Sequence, residues 1–163
     1  MAATINGYEN TIRLPDAVIT ITPTCDTNAY ASGDLIFDST EITGAVRGLG
    51  GTAILQSVVL YDAADQKVAM TLVFANAATD FGTLNSAPDP DDTECLTVIG
   101  HVAIATTDYL DLGGASVACI RNLGLTMKAA ATTTSLWVAA VNGTGTPTYA
   151  ASSLVLQIGL LRS

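Results

Sequence analysis

The stretch TAILQSVVLYD (52–62), AADQ (63–66) and KVAMTLVFA (67–75) sets two apolar, alternating runs on either side of a short polar connection. Successive side chains of a strand point to opposite faces, so a period of two marks β structure. In the second run Val68, Met70, Leu72 and Phe74 share a face, which makes them the cleanest core expectation in the chain. In the first, Leu55, Ser57, Val59 and Tyr61 take one face, and Ile54, Gln56, Val58 and Leu60 the other. Two such runs joined by a few polar residues predict a β-hairpin.

The same period runs outward in both directions. AVITITPT (17–24), DLIFD (34–38), TVIGHVAIA (97–105), DYLDL (108–112), SLWVAAVNG (135–143) and SLVLQIGLLR (153–162) all read as strands. ASVACIRNLGLTMKA (115–129) reads as a strand with a break near Asn122–Gly124, and NGTGTPTY (142–149) as a loop. No window carries a sustained helical stripe, and the Thr run in AAATTT (129–134) opposes a helix there. About eight or nine strands at this spacing predict an all-β domain, a β-sandwich or jelly roll, over 17–163. Residues 1–16 read as an N-terminal arm or edge strand. The final strand is expected to lie centrally and lock the fold.

Of the 163 residues, 49% are hydrophobic and 13% charged, about half the usual charged fraction of roughly 25%. That balance suits a chain whose surface becomes interface in an assembly. The net charge of −9, with six scattered cations, argues against a nucleic-acid partner. Cys25, Cys95 and Cys119 form no CxxC and suggest a reducing compartment, with Cys119 expected as a buried thiol. The N-terminus has no signal-peptide pattern, and no apolar run approaches a membrane span.

Candidate chemistry is sparse. SAPDPDDTEC (86–95) clusters Asp89, Asp91, Asp92 and Glu94. As a calcium loop it lacks the glycine and the distant glutamate that such loops use. As a helix start it fits better, with Asp89 as N-cap, Pro90 at N1 and a short helix near 90–97. A plain acidic loop is the remaining reading. His101 is the one histidine and reads as a surface or satisfied strand residue. A Ser/His/Asp or Cys/His machine would need it as base, and there is no GxSxG elbow. Neither GLGGT (48–52) nor NGTGT (142–146) has the lysine of a phosphate loop. The residues therefore carry no catalytic assignment, no metal site and no cofactor.

Several segments resemble small virion proteins of tailed bacteriophages: TPTCDTNAYASGDLIFDSTEI (22–42), GGTAILQSVVLYD (50–62), FGTLNSAPDPDD (81–92), YLDLGG (109–114), RNLGL (121–125) and LWVAAVNGTGTPTY (136–149). The likeness extends from about residue 17 to 162. It implies a capsid decoration, or cement, protein: a small β-sandwich or jelly roll that binds outside the shell and clamps capsomers, often as a trimer.

The functional expectation is then a non-enzymatic virion protein, made in the host cytoplasm. Its partners are the major capsid protein and further copies of itself as a trimer, with no nucleic acid and no membrane. Ile5, Tyr8, Ile12 and Leu14 are the interface candidates on the arm, able to add a strand to a neighbour. The alternative is a tail or head-fibre module that binds host glycan through an aromatic patch around Tyr30, Tyr109, Trp137 or Tyr149. A β-sandwich hydrolase using His101 is a third reading.

Overall fold

The structure is a computed structural model that describes residues 16–162. The arm candidates Ile5, Tyr8, Ile12 and Leu14 lie outside the described residues. Nine strands are described: β1 (Asp16–Ile21), β2 (Leu35–Ile42), β3 (Thr52–Asp62), β4 (Met70–Ala75), β5 (Val98–Ile104), β6 (Tyr109–Asp111), β7 (Ser116–Lys128), β8 (Leu136–Asn142) and β9 (Leu154–Arg162). One short helix, α1 (Asp92–Cys95), and a 3-10 turn (Thr106–Asp108) accompany them. The all-β expectation holds.

The strands form two antiparallel sheets, ordered β1-β9-β3-β7-β6 and β2-β8-β4-β5. Up to β4 the chain changes sheet at every connection, and it does so again from β7 to β9. Without the three-residue β6, each sheet holds four strands. That is a jelly roll. The last strand is central, as expected, seated between β1 and β3.

The expected hairpin between β3 and β4 does not form. β3 pairs with β7 and β9, and β4 pairs with β5 and β8. The connection is longer than the polar residues suggest, because Lys67, Val68 and Ala69 precede the strand. Asp65 and Lys67 adopt left-handed backbone, with φ of 53° and 50°. The buried Asp62 carboxylate accepts backbone N–H bonds from Ala64, Gln66 and Lys67 at 2.8–3.1 Å. This anchored loop carries the chain over the end of the sandwich to the opposite sheet. The tight hairpin is instead β6–β7, turning through Leu112–Ala115 over Gly113 and Gly114.

The expected faces of β3 also need correction. Ala53 and Leu55 point inward, then Val58 and Leu60 do. The register shifts between Leu55 and Ser57: Gln56 is a bulged extra residue of β3 against β9, and on the other side it stands against Asn122–Gly124 of β7. Asn122 and Gly124 have φ of 59° and 65°, so the break expected in β7 is a bulge inside a continuous strand. A bulge switches which side chains face the core. β4 has no such interruption against β8. Val68, Met70, Leu72 and Phe74 are all buried, as read from the sequence.

The core between the sheets includes Ile36, Phe37, Leu55, Leu60, Leu72, Phe74, Ile104, Leu136, Leu156 and Ile158. Each such side chain contributes roughly 1.5–3 kcal/mol of burial.

α1 starts two residues later than expected. Asp91, not Asp89, is the N-cap: its Oδ1 accepts from Glu94 N at 2.8 Å, and Glu94 Oε2 accepts from Asp91 N at 2.7 Å. Glu94 is the residue type that closes a capping box three positions on, and this fixes the start at Asp92. The helix ends at Cys95, short of the expected 97.

Candidate functional site: an uncovered sheet face

The residues that carry chemistry do not converge. His101 is exposed on β5, opposite Val73 of β4. Cys25 is buried, whereas Cys119, expected in the core, is exposed on β7. It stands opposite Val59, which faces outward beyond the β3 bulge. Among the described residues, no group of three His, Cys, Asp or Glu side chains is placed to hold a metal ion. Asp80, Asp89 and Glu94 border one polar recess, but Asp80 accepts from Gly82 N and Glu94 is committed to the α1 cap.

Two of the four residues of the expected aromatic patch are not at the surface. Tyr30 and Tyr149 are each 1% exposed and pack with ring centroids 6.0 Å apart at 56°. The Tyr30 hydroxyl donates to Ile36 O at 2.9 Å and accepts from Asp26 N at 2.6 Å. Tyr109 is half-buried, and its hydroxyl donates to Val68 O at 2.9 Å. Burial, with Asp62 nearby, pushes the Tyr109 and Tyr149 hydroxyls upward and raises the Cys25 thiol to about 12. The Tyr30 hydroxyl is raised mainly by burial. These groups belong to the interior at the Asp62 end of the sandwich. Trp137 lies half-buried on β8.

The outer faces of the two sheets differ. Over the β2-β8-β4-β5 sheet the connection between β4 and β5 folds back. It builds a second small core in which Phe81 meets Leu35, Ala75 and Ala139, with Leu84, Trp137 and Val141 packed against them. Phe81 N donates to Asp38 Oδ1 at 3.1 Å, Asn85 N to Leu35 O at 2.9 Å and Leu35 N to Ser86 O at 2.8 Å. These bonds hold the cover in place.

The first sheet has no such cover among the described residues. Cross-strand pairing sets its outer side chains in rows. One row runs Leu110, Val117, Tyr61, Val155; the next Cys119, Val59, Gln157, Thr20; the third Arg121, Ser57, Gly159, Val18. Leu110 is 64% exposed, Val18 69% and Tyr61 41%. Val59, Tyr61, Val117, Val155 and Gln157 line a shallow depression of about 280 Å³. The three rows hold no carboxylate and one cation, Arg121, on a chain of net charge −9. The apolar part of this face, Leu110, Val117, Tyr61, Val155 and Val59, is one exposed patch, and patches of this kind mark interaction surfaces. The sequence did carry a signal for it: β3 is apolar on both faces, which a strand with one solvated face does not need.

No protein-family model matches the chain, and no curated protein matches it. Among solved structures it is similar to that of Desmodium yellow mottle tymovirus, at 16% identity and a TM-score of 0.28, over 90% of this chain and 79% of that one. The jelly-roll assignment rests on the strand order and not on this likeness.

Proposed function

We propose that this chain is a non-enzymatic structural protein of a virion, a capsid decoration protein that docks on the outer shell and holds neighbouring capsomers together. The supporting observation is the outer face of the β1-β9-β3-β7-β6 sheet, uncovered among the described residues and carrying the exposed apolar row Leu110, Val117, Tyr61 and Val155, set against a second sheet that has its own cover. Jelly rolls also serve as lectin and cupin domains, so the fold by itself does not choose. The resemblance of 22–42, 50–62, 81–92 and 136–149 to phage virion proteins favours the shell. The major capsid protein is then the partner, and neither nucleic acid nor membrane is required. A protein that binds the expanded shell better than its precursor stabilises the expanded form by mass action. Repeated docking on a symmetric lattice multiplies a modest single contact. The glycan-binding alternative loses two of its four aromatic residues, since Tyr30 and Tyr149 are interior while Tyr109 and Trp137 are half-buried.

Val59→Lys and Tyr61→Lys test the docking face. Both side chains point outward, so the folded domain should survive. Co-sedimentation with particles from the infection that produces this chain should fall at least tenfold. Undiminished occupancy would count against the face.

A further inference from the structure

We infer that Arg121 is where the open face binds a carboxylate of its partner, so that the shell surface fitting this face is apolar with an acidic side chain set into it. This rests on the proposed docking of that face. Among the described residues Lys67 is the one cation in an ion pair, with Asp65 at 3.2 Å and Asp111 at 2.7 Å. Arg162 donates to Gly44 O at 2.9 Å. The side chains of Arg47, Arg121 and Lys128 have neither an ion pair nor a hydrogen bond among the described residues. Arg47 lies in the β2–β3 connection and Lys128 at the last residue of β7. Arg121 alone stands in the outward rows beside the apolar patch.

The strands around Arg121 offer it no acid. β3, β7 and β9 contain a single carboxylate, Asp62, which is buried and taken up by its own loop. Asp16 lies on β1, three strands away, about 14 Å at the usual strand spacing. The row of Arg121 is short instead of charged. Ser57 stands opposite it on β3 and Gly159 beyond on β9, and a Cβ at Gly159 would collide with Ser57 Oγ. Ser57 Oγ has no hydrogen-bond partner among the described residues. Directly opposed residues hold their Cβ atoms about 4.5–5.5 Å apart. A guanidinium and a free hydroxyl at that spacing can donate to the two oxygens of one carboxylate.

One cation beside an apolar row suits a protein carboxylate and not a polyanion. Nucleic acid and anionic lipid call for clustered cations, and a chain of net charge −9 repels them. Covering a guanidinium without a partner is costly, and a two-pronged bond to a carboxylate offsets that cost. Arginine is accordingly enriched in protein interfaces, where lysine is depleted. The contact also gives the docking a direction. Arg121 lies about 13 Å along β7 from Val117 of the apolar row, so the two together set one orientation of the face on its partner.

Co-sedimentation of the full chain with the same particles tests it. Arg121→Glu should lower occupancy about tenfold or more, and Arg121→Lys by about threefold or less, both with wild-type melting. Arg47→Glu makes the same charge change away from the face and should leave occupancy unchanged. In Arg121→Lys a carbodiimide reads the contact itself. It activates a shell carboxylate, the amine at position 121 attacks to form an amide, and the carbodiimide leaves as its urea. Mass spectrometry should find position 121 joined to an Asp or Glu of the capsid protein. Wild-type occupancy by Arg121→Glu, an equal loss in Arg47→Glu, or a docked Arg121→Lys with no such joint overturns the inference. If Val59→Lys loses binding in that case, the docking face stands and only the carboxylate contact falls. If Val59→Lys binds fully as well, both fall.

Discussion

Two buried tyrosines that pack against each other with tilted rings make opposite uses of their hydroxyls. Tyr30 OH joins Ile36 O and Asp26 N, while Tyr149 OH is buried with no hydrogen-bond partner among the described residues. Tyr30→Phe should cost about 1–3 kcal/mol, because it strands a buried carbonyl and an amide. Tyr149→Phe should cost under about 0.5 kcal/mol, because it removes a group whose desolvation is uncompensated. Chemical denaturation of the two variants checks the order; equal losses would contradict it. The same cluster sets an alkaline limit. Folding raises Cys25 from its ordinary 9.0 to about 12, and lifts Tyr30, Tyr109 and Tyr149 above their ordinary 10.0. The unfolded chain therefore loses these protons first. Their contribution is fully present below about pH 9 and declines as pH rises toward 12, by about 1.4 kcal/mol per pH unit for each proton of difference. The melting temperature should hold steady from pH 7 to about 8.5 and drop steeply beyond about 9.5. A flat profile to pH 11 would contradict this.

Elements were legible where their pattern is local. Val68, Met70, Leu72 and Phe74 alternate without interruption, and all four reach the core. Pairing was not legible, because alternation says that a strand is half-buried and not which strand lies beside it. The β3–β4 connection shows the physical reason. Asp62 ends β3 and closes a turn on its own carboxylate, and Asp65 and Lys67 take up left-handed backbone that aims the chain at the other sheet. Asp62→Asn keeps one acceptor oxygen where the loop uses two, so it should destabilise the fold by about 2–3 kcal/mol. Urea unfolding measures this, and a loss below about 0.5 kcal/mol would mean that the loop does not depend on the carboxylate. The bulge in β3 was hidden for a similar reason. Gln56 is a permissible strand residue, and only the register shows it to be an extra one, with Leu55 opposite Leu160 and Ser57 opposite Gly159 of β9, and Asn122–Gly124 of β7 on its other side. The acidic run shows the reverse case, since its D-x-x-E spacing (91–94) contained the cap that the structure uses.

At the scale of the molecule, the jelly roll has one sheet covered by its own chain and one left open among the described residues. The acidic run drew the eye in the sequence, yet it resolves into a capping box and a polar recess. The open face was spread over β1, β3, β7 and β9, which lie far apart in sequence, so only the strand order assembles it. Its apolar row, Leu110, Val117, Tyr61 and Val155, takes up part of the apolar material of a chain that is 49% hydrophobic and 13% charged. Docking that face against a shell would remove it from water and leave the carboxylates of the α1 end facing solvent. The most direct measurement is a particle reconstruction by electron cryomicroscopy. It should show this domain on the shell exterior, with Val59, Tyr61, Val117 and Val155 turned toward the capsid surface. Density for the domain on the tail, or on the shell with that face turned to solvent, would contradict the docking reading.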